Sequence, residues 1–304
     1  MICRNLTWAA LFGIGIFASA YGLVFRTAVA GTECPAYIWI DCGERIREKN
    51  GSLTQRYHIR SSGDTLPDCT HGSDFQAFYR FFRRSSSSKK PYRFDRAFPK
   101  AGYFQAVITR DNGELCLDIN SRTDTRIELY VFGTCGRKKL LAHISHYLFG
   151  KASHSDETRT RGPVMQLPAD LPRLCLHPSC RNYYMQTGQT YRFNYSGKDA
   201  TAKTMSILEN HKHLADVARS PSGIFEYTPP HDPQLDRAGP HAFKETVALV
   251  ETTTSGWDYA TTYTLLLNRS YLGHLRSLPG LILFGVTILT FVVGVGCKRR
   301  PGRK

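Results

Sequence analysis

The feature that constrains this chain most is the uninterrupted apolar run in "LPGLILFGVTILTFVVGVGCKRRPGRK", where Leu278 to Cys297 carry no charge and Lys298, Arg299, Arg300, Arg303 and Lys304 follow at once. At a rise of about 1.5 Å per residue, a helix of that length crosses a hydrocarbon core. Cations clustered at one end of a span keep that end in the cytoplasm. The expectation is a transmembrane helix over residues 278–297, with the lipid bilayer as partner, and a cytoplasmic basic tail over 298–304. The other end has Arg4, an apolar run from Leu6 to Phe25, and two small-residue sites, Ala18-Ser19-Ala20 and Ala28-Val29-Ala30. That order predicts a signal peptide over residues 1–30, with an uncleaved anchor as the alternative. Both arrangements place residues 31–275 outside the cytoplasm, and with the signal peptide cleaved the chain is a single-pass membrane protein. A bacterial inner membrane with a periplasmic ectodomain is favoured over a eukaryotic or viral secretory route.

Charge is read after this partition. The formal net charge of +15 includes Arg4, Arg26 and the five tail cations, which leaves +8 on the segment between. The most conspicuous stretch there is "AFYRFFRRSSSSKKPYRF", residues 77–94, which interleaves aromatic and basic side chains around four serines. In the cytoplasm it would suit a nucleic acid. Outside, nucleic acid is excluded as a routine partner, and two readings remain. Arg83, Arg84, Lys89 and Lys90 contact an anionic membrane surface or envelope component. Alternatively Phe75, Phe78, Phe81 and Phe82 pack inward and the rest is a solvated loop.

Seven cysteines lie outside the two apolar ends: Cys34, Cys42, Cys69, Cys116, Cys135, Cys175 and Cys180. An odd number in an oxidising compartment leaves at least one without an intrachain partner. The short spacing in "CLHPSC" predicts a Cys175–Cys180 disulfide. The same residues with His177 form a Cys-x-His-x-x-Cys ligand set, to which His211 and His213 are candidate additions. A divalent transition metal is the alternative to having no cofactor. The sequons Asn50-Gly51-Ser52, Asn194-Tyr195-Ser196 and Asn268-Arg269-Ser270 keep the eukaryotic route open, although Tyr195 and Leu267 place two of them within strands.

The rest reads as mainly β. "YFQAVITRDNGELCLDIN" contains a hairpin cue at Asn112-Gly113, and "RIELYVF" would complete a meander. Asp111, Asp118 and Asp124 fit turn chemistry there. In "KKLLAHISHYLFG" the residues Leu140, Leu141, Ile144, Tyr147 and Leu148 recur at helical spacing, with His143 and His146 at i, i+3, which predicts one short helix. Residues 151–163 read as a linker. Strands in "QTYRFNYSG", "GIFEYTPP", "ETVALVETT" and "DYATTYTLLLNRS" complete the pattern. The expected fold is an antiparallel β-sandwich ectodomain in two parts, a β-rich, Cys-containing domain over 31–165 and a sandwich domain over 166–275.

The stretches "GIFEYTPPHDPQLDRAGPHAFKETVALVE" and "YATTYTLLLNRS", followed by an anchor, resemble bacterial membrane-anchored envelope proteins with an immunoglobulin-like or carboxypeptidase-regulatory-like β-sandwich. Some of those accompany nickel and cobalt uptake systems. The resemblance implies a sandwich at a membrane and carries no functional residue across. No Gly-x-Ser-x-Gly elbow, His-Glu-x-x-His pair or Walker loop occurs in the sequence. The first functional reading is therefore a non-catalytic binding or accessory protein contacting a membrane protein or envelope component. The second is a metal-uptake accessory presenting His and Cys ligands, and the third is an envelope enzyme.

Overall fold

The computed structural model describes residues 34–49, 51–63, 75–84, 94–151, 163–169, 171–177, 185–196, 202–238, 242–269 and 282–291. The strands lie in three layers. The first is a four-stranded antiparallel sheet in the order β1 (Ile38–Arg47), β2 (Leu53–Ser61), β7 (Glu114–Ser121), β6 (Thr109–Asp111). The second is the large central sheet. Its path runs β10 (Val164–Met165), β5 (Tyr103–Ala106), β3 (Phe75–Arg84), β8 (Thr123–Cys135), β9 (Lys138–Lys151), β18 (Trp257–Asn268), β17 (Lys244–Thr254), β14 (Thr204–Glu209), β15 (Lys212–Ala218). Beside this path β4 (Phe94–Phe98) pairs with β3, and β12 (Met185–Gln186) pairs with β18. The third layer is β11 (Arg173–His177), β13 (Tyr191–Ser196), β16 (Ile224–Tyr227). One short helix, α1 (Pro233–Arg237), starts at Asp232, whose carboxylate accepts from the backbone N–H groups of Gln234 and Leu235.

The central sheet buries both faces, and its side chains alternate accordingly. On one face Phe81, Ile127, Leu129, Leu140, Ala142, Ile144, Val247 and Leu249 meet Ile38, Ile40, Tyr57, Ile59, Leu117 and Ile119 of the four-stranded sheet. On the other, Ile207, Ala248, Val250, Tyr263 and Leu265 meet Leu174, Phe193, Tyr195 and Phe225 of the three-stranded sheet. Further along that second face, Phe78, Tyr130 and Leu141 pack with Leu167 and Leu171.

This two-sided burial corrects the helix expected over "KKLLAHISHYLFG". The segment is strand β9, paired antiparallel with β8 and parallel with β18. Leu140, Ala142, Ile144 and Leu148 point to one core and Leu141 to another. A strand apolar on both sides shows no clean alternation and so matches a helical spacing by accident. The sheets also do not divide at residue 165. Asp258 to Thr264 of β18 pair with Lys138 to Ile144 of β9, so the two halves of the chain share one sheet.

The Asn112-Gly113 hairpin forms as expected, with φ of 50° and 85° at its two central residues, joining β6 to β7. The meander does not continue: β8 leaves this sheet and pairs with β3 and β9 instead. A second two-residue turn, at Ser255 and Gly256, closes the β17–β18 hairpin. Of the apolar run at 278–297, residues 282–291 are helical and exposed, and the remainder lies outside the described residues. Among the described residues no helix is long and apolar enough to cross a membrane.

Candidate functional site

Strand β2 alternates Leu53, Gln55, Tyr57 and Ile59 inward with Arg56, His58 and Arg60 outward. Register then sets acids from the neighbouring strands beside each outward group. Arg56 donates to Asp118 at 3.0 and 3.1 Å and to Asp111 at 2.9 Å. His58 Nδ1 lies 3.0 Å from Glu114 Oε2, and Arg60 pairs with both Glu114 and Asp41, the latter at 3.6 Å. The hydrogen bond from Arg60 holds the Glu114 carboxyl below the usual carboxylate range.

The Arg60, Glu114 and Asp41 end of this ladder forms one wall of a cleft of ≈ 890 Å³ between the four-stranded sheet and the β14–β17 flank of the central sheet. Trp39, adjoining Asp41 along β1, is only 4% exposed and forms part of its floor. Its ring lies 4.4 Å from that of His211. His211 occupies the two-residue turn between β14 and β15, where it takes a left-handed φ of 63°. Side chains other than Gly, Asn, Asp and His seldom adopt that conformation. At the start of β17, Glu245 hydrogen-bonds to Asp41 and accepts from the Trp39 indole. Burial, followed by the hydrogen bond and charge of Asp41, pushes the Glu245 carboxyl far above the ordinary range, so it is the protonated partner of the pair. The cleft thus offers an apolar floor, a protonated Glu245 carboxyl hydrogen-bonded to Asp41, and exposed ionic groups that are already paired. That arrangement suits holding a polar group by hydrogen bonds.

Of these cleft residues only His211 stood out in the sequence, as a candidate metal ligand, and the fold sets it against Trp39 rather than within a metal set. The complementary charges of "QRYHIRS" and "RDNGELCLD" were the available signal, but they speak only once the register of β2 against β7 is known.

The other residues expected to carry function lie elsewhere. Arg83 on β3 stacks its guanidinium 4.2 Å above the Phe98 ring. Arg84 ends the β3 pairing with β4 at Phe94, its side chain outside the described set. Lys89 and Lys90 lie outside the described residues. The inward packing of the window is seen in Phe78 and Phe81, 2% and 1% exposed, which serve opposite faces of the sheet. Phe82 is instead half-buried, beneath the guanidinium groups of Arg80 and Arg126. Cys175 on β11 is a thiol whose pKa burial raises. Its expected partner Cys180 and the His177 side chain fall outside the described residues. His213 pairs with Asp216 at 2.9 Å. Among the described residues no three His, Cys, Asp or Glu side chains gather as a metal set. The disulfide that is described joins Cys34 to Cys135, across a separation of 101 residues that no local spacing reveals.

No protein-family model matches this chain, and no curated protein matches it. The resemblance to envelope proteins of nickel and cobalt uptake therefore has no sequence match behind it. Among solved structures, the full three-domain ectodomain of mouse nectin-like molecule 4 aligns with 77% of this chain over 65% of its own, at 9% identity and a TM-score of 0.20. A chimeric titin Z1Z2 tandem aligns with 75% over 99% of its chain, at 10% identity and a TM-score of 0.21. Fibronectin(III)-like modules of Clostridium thermocellum CbhA align with 80% over 94% of theirs, at 8% identity and a TM-score of 0.21. What makes this chain a β-sandwich is the face-to-face packing of its own sheets.

Proposed function

We propose that the chain is a non-catalytic, membrane-tethered binding module whose β-sandwich stands outside the cytoplasm and receives a polar segment of a partner protein in the cleft beside Glu245. The cleft carries the reading: ≈ 890 Å³ lies within the range of ligand sites, and its apolar floor with a few convergent polar groups is their usual composition. Two observations support the location. The Cys34–Cys135 disulfide suits an oxidising compartment. In the 282–291 helix Ile282, Leu283, Phe284, Leu289 and Phe291 are all more than half exposed. Its only hydroxyls turn back onto their own backbone, Thr287 to Leu283 at 2.8 Å and Thr290 to Val286 at 3.0 Å. An exterior of that kind suits lipid. The tail cations then hold the C-terminus inside.

The test is proximity labelling on cells displaying the full chain. Glu114→Lys, in the cleft wall, should reduce the labelled neighbours at least tenfold. Arg192→Glu, on the three-stranded sheet, should leave them unchanged. Identical neighbour sets for both variants and the parent protein would count against the cleft as the binding site. A reporter fused after Lys304 that works only outside the cytoplasm would overturn the topology.

A further inference from the structure

The three sequons with positions beyond residue 30 differ in what the fold allows. Asn268 is fully buried, and its side-chain Oδ1 accepts from the Arg269 backbone N–H at 2.6 Å. Its backbone carbonyl accepts from Thr187. An oligosaccharide has no room there. Asn50 lies outside the described residues. Asn194 is the contrasting case. It sits in β13, whose burial alternates strictly: Tyr191, Phe193 and Tyr195 fill the core while Arg192, Asn194 and Ser196 are exposed. The strand period of two thus projects the acceptor amide and the hydroxyl that completes the sequon from the same face. Neighbouring Arg192 and Glu226, 2.9 Å apart, are each half or more exposed, so this part of the face is solvated.

We infer that Asn194 is an N-glycosylation site, carrying an N-linked oligosaccharide on the outer face of the three-stranded sheet. The inference rests on the extracytoplasmic reading above, taken by the eukaryotic or viral secretory route that the sequons keep open rather than by the bacterial one. The donor is a polyprenyl-pyrophosphate-linked oligosaccharide used by a membrane oligosaccharyl transferase. The Asn194 side-chain nitrogen forms a bond to the anomeric carbon, and the bond from that carbon to the pyrophosphate oxygen breaks. The lipid pyrophosphate leaves with the electron pair, and the amide proton passes to the transferase base, with no change of oxidation state. Location within a strand does not oppose the modification, because only the outward half of that strand is involved.

The placement also fixes a sidedness. The cleft is lined by Leu208 and Val247, which belong to the face of the central sheet opposite the one covered by β13. A glycan at Asn194 therefore keeps the three-stranded sheet solvent-facing and leaves the cleft open.

The experiment is expression of the full chain in a eukaryotic secretory cell line, followed by peptide-N-glycosidase digestion and mass-spectrometric mapping of converted asparagines. Expected are conversion at Asn194, loss of one glycan-sized gel shift in both Asn194→Gln and Ser196→Ala, no conversion at Asn268 in the folded fraction, and cleft labelling unchanged by either variant. An oxidised Cys34–Cys135 pair with Asn194 unmodified would overturn the inference while leaving the secretory reading standing. Conversion at Asn268 in the folded fraction would overturn the discrimination between the sites. Reduced Cys34 and Cys135 with no glycan anywhere would remove the secretory reading, and the inference with it.

Discussion

The Tyr57 hydroxyl on β2 lies 3.3 Å from Nε2 of His146 on β9, the two rings meeting edge to face across the boundary between the small sheet and the central one. Three residues away, His143 points to the opposite core, where it stacks on Tyr130 at a centroid distance of 4.0 Å and sets Nδ1 3.1 Å from the Leu174 carbonyl. One strand therefore inserts an imidazole into each of two cores. Burial pushes His143 down to about 4, and burial together with the Arg45 charge pushes His146 down to about 3.

Acid should destabilise the fold through these rings. Each is neutral when folded and protonates near pH 6.5 when unfolded, so its stabilising contribution is present above that value and lost as pH falls toward the folded pKa. Each proton taken up on unfolding contributes a slope of about 1.4 kcal/mol per pH unit. Between pH 6 and 5, Glu245 acts oppositely, because the folded chain holds its proton and the unfolded chain does not. The net slope is thus about one proton's worth, roughly 1.4 kcal/mol per unit. His146→Gln keeps a partner for Tyr57 and removes one titration, and urea melts across this window should then be nearly flat. A slope unchanged from the parent would mean that His146 titrates normally.

Glu245→Gln should do the reverse. Gln reproduces the hydrogen-bonding shape of the protonated carboxyl without requiring a proton. The raised pKa of Glu245 means that its favourable contribution is complete below about pH 4.5 and declines as pH rises through the folded value. The variant should therefore melt above the parent at pH 8, match it near pH 4, and show an acid slope of about 2.7 kcal/mol per unit between pH 6 and 5, with both histidines unopposed. Equal melting temperatures at pH 8 would show that Glu245 does not retain its proton there.

The Cys34–Cys135 bond ties the chain just ahead of β1 to the end of β8, and so fastens the small sheet to the central one. A closed loop of roughly a hundred residues is worth about 4–5 kcal/mol on the chain-entropy account. Cys34→Ser should lower stability by an amount approaching that, Cys135→Ser should lower it equally, and the double variant should be no less stable than either single one. Parent and variants with the same denaturation midpoint would show the bond to be absent or inert.

Much of this architecture was legible locally. Asn112-Gly113 marked a hairpin, and β13 announced its buried face through Tyr191, Phe193 and Tyr195. What could not be read was anything requiring a distant partner. Strand β9 looked helical because Leu141 and His143 face a second core that only the fold supplies. Asp41 and Glu245 are 204 positions apart in sequence, and nothing local in "IWIDCG" or "FKETVALV" says that they hydrogen-bond to each other. The disulfide was hidden in the same way, while the nearby pair Cys175 and Cys180 offered a local answer.

The aromatic-basic window separates into two independently testable parts. Phe81 is 1% exposed between sheets, so Phe81→Ala should cost about 3–5 kcal/mol, as large-to-small changes in packed cores do. Arg83 lies over Phe98 near the sheet margin, where such a contact is worth about 0.5–1 kcal/mol. Replacing Arg83, Arg84, Lys89 and Lys90 together by Gln should therefore move the melting temperature of the 31–275 segment only slightly. Each cation close to an anionic surface contributes about 1 kcal/mol, and salt screens that attraction within a Debye length. The four-Gln variant should lose adsorption to vesicles rich in phosphatidylserine at low salt, with the difference from the parent vanishing at high salt. Adsorption equal to the parent's at low salt would leave those four cations with no part in membrane contact, and the stretch would then be a structural strand and its loop.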